Sequence, residues 1–202
     1  ADERARAQAL AALLTPIVKS LFTERGFQLA SDALQVFGGY GYVHEYRIEQ
    51  ILRDSRIAMI YEGTNQIQAL DLLQRKVLSG PDGLAPLLEV FAAEAALPSA
   101  HAASLQSWCD TLAQATHALA QDAAQDAELP ARAAEDYLRL VGTVALAYTW
   151  CRAARVAQAL DPAHPAHAQK REGARYFFDY VLPGAAHWLR LVQAARHPVA
   201  PV

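Results

Sequence analysis

The sequence predicts an all-α protein, and three observations carry that prediction. Alanine and leucine dominate a 202-residue chain whose hydrophobic share is 53%, a length and apolar content sufficient to bury a core. Runs of β-branched residues alternating with polar ones, the signature of strands, are nearly absent. Apolar residues instead recur three and four positions apart between glycine- and proline-marked breaks.

Taken in order, Thr15 followed by Pro16 reads as a cap and first-turn pair opening a long helix that runs to about Phe37. Ile17, Leu21, Leu29 and Val36 supply its buried stripe. Gly38 and Gly39 end it, since glycine accepts the left-handed backbone just past a helix C-terminus. Residues 40–46 form an aromatic loop, and a short helix covers roughly residues 48–54. A further helix begins at Thr64 or Asn65 and continues through Arg75 to Leu78, with Asn65 and Gln68 spaced as a capping box. The run SGPDG at residues 79–83 stops any helix and divides the chain into residues 1–79 and residues 84–202.

Four helices are expected after the break, near residues 84–96, 100–125, 131–159 and 169–195. In the third, Tyr137, Val141, Val144, Tyr148 and Cys151 fall on one face, which requires a partner. Pro183 either kinks the fourth or restarts it as a new helix. An antiparallel bundle buries such stripes with short connections.

The bulk properties remove several function classes. Eighteen Lys and Arg against 21 Asp and Glu give a formal net charge of -3, unsuited to tracking a polynucleotide backbone. No stretch of about 18 apolar residues is free of charge, and the opening ADERARAQ lacks a basic region followed by an apolar one; a soluble, cytoplasmic protein with no membrane span is the expectation. Cys109 and Cys151 lack CxxC spacing and read as buried small residues. His164 and His167 share the Pro-rich DPAHPAH, which suits a surface turn, and no carboxylate or thiol is spaced to join them, so no metal site is expected.

The most informative stretch is YEGTNQIQ at residues 61–68. A lone glutamate near a helix entrance, Glu62 here, is ordinarily a surface residue that favours the helix dipole. Its neighbours make a stronger case: Tyr61 is aromatic, Gly63 lets a ligand approach the backbone, and free N–H groups at a helix start can receive an anion or a carbonyl oxygen. Gly38, Gly39 and Gly41 do not have GxGxxG spacing and follow a helix rather than a strand, which excludes a Rossmann fingerprint.

The joint pattern LASDALQVFGGYGYVHEYRIEQILRDSRIAMIYEGTNQIQALDLLQRKVL, residues 29–78, resembles the end of the C-terminal helical domain of acyl-CoA dehydrogenases over some fifty residues, with both sequence blocks in order. The resemblance implies that Glu62 removes the α-proton of an acyl-CoA thioester while the β-hydrogen leaves as hydride to N5 of FAD. It implies that the Glu62 backbone amide helps hold the thioester carbonyl, with Gly63 and Tyr61 beside the substrate. Thr64 and Gln66 would contact the flavin nucleotide, and Gln35, Val36, Phe37, Gly38 and Gly39 would touch the FAD of a neighbouring subunit, so that the site is shared across at least a dimer. Desolvation beside a bound ligand would raise the basicity of Glu62, and the dipole of the next helix would oppose this. Arg53, Asp54 and Arg56 read as a structural ion pair orienting the last helices.

Beyond Gly83 the chain resembles the extra C-terminal helical domain of long bacterial acyl-CoA dehydrogenases, through AYTWCRAARVAQ and ARYFFDYVLPGAAHWLRLVQ. Tyr176, Phe177, Phe178 and Tyr180 are read as core or dimer-contact surface. The family's earlier helical and β domains have no counterpart here, so the 202 residues are expected to be a fragment that holds little FAD and does not catalyse alone. The expected partners are an acyl-CoA substrate and electron-transfer flavoprotein or another acceptor. Two other functions fit the same residues: a helical assembly module without catalysis, and an acyl-CoA oxidase passing electrons to oxygen.

Overall fold

The computed structural model describes residues 2–80 and 82–197, and every regular element among them is helical. Pro81 of the SGPDG break lies outside the described residues. No helix of the described residues is long and apolar enough to cross a membrane.

Helix α1 runs from Asp2 to Val36, straight through the position expected to start it. Thr15 is not a cap: its hydroxyl donates to the Ala11 carbonyl at 2.7 Å. Pro16 removes the N–H that would have reached the Ala12 carbonyl, and Lys76 Nζ takes that oxygen at 2.7 Å. An interior proline is thus tolerated because a cation from another segment replaces the lost donor. The helix ends as expected, with Gly38 at φ +59°. Residues 40–46 are not an open loop: Gly39–Tyr42 is a short helix, α2, and His44–Tyr46 a 3₁₀ turn. Helix α3, Ile48–Ile57, then packs back on α1. Arg53 pairs with Glu49 at 3.3 Å and Arg56 lies over the Phe27 ring at 5.7 Å, so the ion pair expected among Arg53, Asp54 and Arg56 is replaced by contacts to other residues.

Helix α4, Asn65–Leu70, continues as a π-helical turn over Asp71–Leu78. After the break come α5 (Ala85–Ala95), α6 (Ala102–Ala123), α7 (Leu129–Gln158) and α8 (Pro165–Tyr176). His164 caps α8, its ring Nδ1 accepting the Ala166 N–H at 3.1 Å, which gives the DPAHPAH histidine a structural task. At the Pro183 position a π turn (Phe177–Val181) and a 3₁₀ turn (Leu182–Gly184) precede a restarted helix, α9, Ala185–Ala195.

Helix α7 is the axis of the molecule. Tyr137, Val141, Val144 and Cys151 are fully buried, and α1, α4, α5, α6, α8 and α9 all pack around them. The fully buried Tyr137 satisfies its hydroxyl on Thr116 Oγ1 at 2.8 Å. Helix α8 comes close to α7 because Gly173 has no side chain: a Cβ there would sit 2.7 Å from the Trp150 ring. Leu13, Ile17, Leu72 and Leu73 join Leu87, Phe91 and Val141 in one apolar cluster, so the segments on either side of the break share a core.

The stripe expected along α1 is buried only in its first half. Ile17 and Leu21 are covered, whereas Leu29 is 66% and Val36 85% exposed. Phe22, Tyr42, Ile51 and Ile57 are exposed as well, which leaves a broad apolar surface over the far half of α1, α2 and α3.

Candidate functional site

Between α3 and α4 the chain reverses through a short loop. Ile60 N–H and Tyr61 N–H both bond the Ile57 carbonyl, at 2.9 and 3.1 Å, and Asn65 N–H closes the loop on Met59 O at 3.3 Å. To make that reversal Glu62 takes φ +56° and Gly63 φ +84°. Glycine accepts such a backbone freely, but a glutamate there carries about 1–2 kcal/mol of strain. Among the described residues Arg47, at φ +59°, is the other non-glycine residue in this region.

The cap of α4 is Thr64, not Asn65, and the expected Asn65–Gln68 capping box is not formed. Thr64 Oγ1 accepts the Ile67 N–H at 3.3 Å, and Thr64 O accepts the Gln68 N–H at 3.0 Å. Asn65 turns inward and is 7% exposed. Its Oδ1 accepts from Lys19 Nζ at 3.1 Å and, at 3.2 Å, shares the one Thr23 hydroxyl proton with the nearer Lys19 O at 2.8 Å, and its Nδ2 donates to Ser20 O at 3.3 Å. Lys19 Nζ also donates to Gly63 O at 2.5 Å, while Gln68 Nε2 donates to Glu62 O at 2.9 Å. Lys19, Thr23, Asn65 and Gln68 therefore hold the loop through bonds spanning up to 46 residues. Sequence reading missed Lys19 and Thr23, since nothing local marks a lysine whose partners lie 44 and 46 residues away.

Two donors expected to be free at the helix start, those of Asn65 and Ile67, are occupied by the loop itself. Among the described residues, the N–H groups of Glu62 and Gly63 donate to no protein acceptor. They remain available to an incoming carbonyl oxygen or anion. The Glu62 side chain is exposed and, with Gly63, lines an open groove shared with Gln68, Asp71 and Arg75.

The remaining candidates divide between two places. Thr64 and Gln66 line a second cleft with Ser20 and Arg56, whose far wall is Glu135 and Arg139 of α7. Arg139 is held by Glu24 Oε1 at 3.0 Å and Glu135 Oε1 at 2.7 Å and stacks over the Trp188 ring at 4.9 Å. Burial raises the Asp136 carboxyl above its ordinary range, an effect that the Arg139 and His187 charges oppose. Tyr61 is 50% exposed and lines neither cleft. Gln35, Val36, Phe37, Gly38 and Gly39 sit exposed at the far end of α1. The loop docks at Lys19–Thr23, so at 1.5 Å per residue this stretch begins roughly 18–24 Å further along the helix. A Cβ on Gly38 or Gly39 would meet nothing within 4 Å, which leaves their backbone open to an approaching group.

Comparison with known proteins gives this geometry a setting. Residues 1–77 match the profile of the acyl-CoA dehydrogenase C-terminal domain, and residues 84–201 that of a family described as acetyl-CoA dehydrogenase C-terminal like. The chain is 37% identical over 166 residues to the 3-methylmercaptopropionyl-CoA dehydrogenase of Ruegeria pomeroyi, covering 78% of this chain and 28% of that protein. It is 41% identical over 64 residues to an acyl-CoA dehydrogenase of Bacillus subtilis, 32% of this chain and 17% of the relative. Over 65 residues it is 42% identical to the cyclohexane-1-carbonyl-CoA dehydrogenase of Geobacter metallireducens, 32% of this chain and 17% of the relative. It thus spans less than a third of the length of each of these curated relatives. With both profiles in chain order and together covering nearly all of it, the chain belongs to the acyl-CoA dehydrogenase family.

Proposed function

We propose that this chain carries the catalytic base and part of the flavin-contact surface of an FAD-dependent acyl-CoA dehydrogenase, which oxidises an acyl-CoA thioester between its α and β carbons. The observation that supports this most is Glu62 itself: a carboxylate held at a strained, exposed loop position beside backbone N–H groups that meet no acceptor among the described residues. A carboxylate is too weak a base for an unactivated C–H, so the thioester oxygen must be hydrogen-bonded as enolate charge develops. The Glu62 N–H supplies that bond, and Gly63 leaves room for the thioester beside it.

Bound here, FAD would supply the acceptor for the β-hydrogen, which leaves as hydride. The residues present fit an edge of this cofactor. Thr64 Oγ1 accepts from Ile67 N–H and so keeps its own O–H to donate, Gln66 shares its cleft, and Gly38 and Gly39 offer bare backbone. By the family resemblance, Gln35 to Gly39, which lie far along α1 from Glu62, would serve the flavin of a second copy. The exposed apolar surface of α1, α2 and α3 suits that pairing, since monomers seldom expose large contiguous apolar patches. Residues 1–79 then form the base-bearing unit and residues 84–202 an appended helical unit. Electrons leave to electron-transfer flavoprotein or another acceptor.

The test is Glu62→Gln in the complete, flavin-loaded enzyme of which this chain would form the C-terminal part. FAD content should stay near that of the parent, and flavin bleaching by acyl-CoA should vanish; bleaching at an undiminished rate removes Glu62 from the role. The name of the Ruegeria relative makes a short thioether acyl-CoA worth assaying beside straight-chain substrates.

A further inference from the structure

Lys19 is half-buried on α1, and among the described residues it pairs with no carboxylate. Its ammonium is spent on the loop, reaching Gly63 O at 2.5 Å and Asn65 Oδ1 at 3.1 Å. Partly desolvating an ammonium is unfavourable unless charge-assisted hydrogen bonds offset it. The Asn65 N–H bond to Met59 O and the Gln68 bond to Glu62 O stay within the loop and α4 and would travel with them. The polar bonds from Lys19, Ser20 and Thr23 tie the loop to α1 instead.

We propose that Lys19 is a positioning residue for Glu62. By clamping the carbonyl of the next residue, it holds the left-handed turn that presents both the Glu62 carboxylate and its N–H. This rests on the assignment of Glu62 as the base. Helix α1 also carries Gln35 and Val36 and leads directly into Phe37, Gly38 and Gly39, so the clamp sets the separation between the base and the start of that stretch along one helix. Lys19 touches no reacting atom in this scheme; it acts through the loop.

The test compares Lys19→Met and Lys19→Arg by two readouts. In the flavin-loaded protein, Lys19→Met should slow flavin bleaching at saturating acyl-CoA by about tenfold or more, with half-saturation shifted by less than about twofold. In the 202-residue chain, hydrogen exchange at the Asn65 amide, which closes the loop, should accelerate by about tenfold, while amides of α7 hold their protection. Lys19→Arg, which keeps charge and donors, should recover most of both. Unchanged loop exchange in Lys19→Met, or a loss in Lys19→Arg as large as in Lys19→Met, overturns the proposal. Should Lys19→Met fail to fold, Lys19→Gln is read by the same criteria. If Glu62→Gln bleaches like the parent, the assignment of Glu62 fails, and the exchange readout still decides whether Lys19 holds the loop.

Discussion

Replacing Glu62 by glycine should stabilise the chain while removing the carboxylate. The structure sets the sign, because Glu62 holds φ +56° and a non-glycine residue in that region gives up about 1–2 kcal/mol. Glycine relieves that strain but adds freedom to the unfolded chain, which returns about 0.5–1 kcal/mol. The difference favours the variant by roughly 0.5–1 kcal/mol, a rise of about 1–4 °C in melting temperature for a chain of this size. The side chain is exposed and its carboxylate makes no hydrogen bond or ion pair among the described residues, so little is lost with it. Calorimetry or urea unfolding of parent, Glu62→Gly and Glu62→Gln measures the effect. Glutamine keeps the strain and should match the parent; asparagine, which tolerates the left-handed region, should fall between. Glu62→Gly no more stable than Glu62→Gln would refute the strained geometry.

Burial pushes the Cys109 thiol up to about 11, with the Asp110 charge adding to the effect. The unfolded thiol loses its proton near 9 and the folded one near 11, so the unfolded chain binds fewer protons across that window and stability falls as pH rises through it, on the order of 2 kcal/mol. Cys109→Ala should flatten that alkaline limb in urea titrations. His101 stacks on Phe178 at 4.1 Å, and burial lowers its pKa against the opposing pull of Asp179. The unfolded chain therefore binds the extra proton first, and stability should fall as pH drops below about 6.5; His101→Phe should shrink the fall. Gly173→Ala drives a methyl into the Trp150 ring and should cost about 1–3 kcal/mol by overpacking, read from its unfolding midpoint.

Much of the fold was legible because helical periodicity and glycine breaks are local signals. Val141, Val144 and Cys151 could be assigned to one buried face of α7 from spacing alone. Leu29 and Val36 show where this fails: periodicity identifies an apolar face but not whether anything in the same chain covers it. Pro16 misled because the compensating donor, Lys76, lies 60 residues downstream. At residues 64 and 65 either side chain could cap a helix, and Asn65 was claimed instead by Lys19, Ser20 and Thr23 of α1. Glu62 stood out through its neighbours, but its left-handed backbone and its tether to Lys19 depend on how α1 meets the loop, which no local pattern encodes.

The most direct measurement is washout of the α-proton from a bound acyl-CoA in deuterated water, followed by NMR, in the flavin-loaded parent and in Glu62→Gln. With the carboxylate at position 62 as the base, the parent exchanges the proton and the glutamine variant does not, although both bind the thioester. Equal exchange in the two proteins would contradict the account.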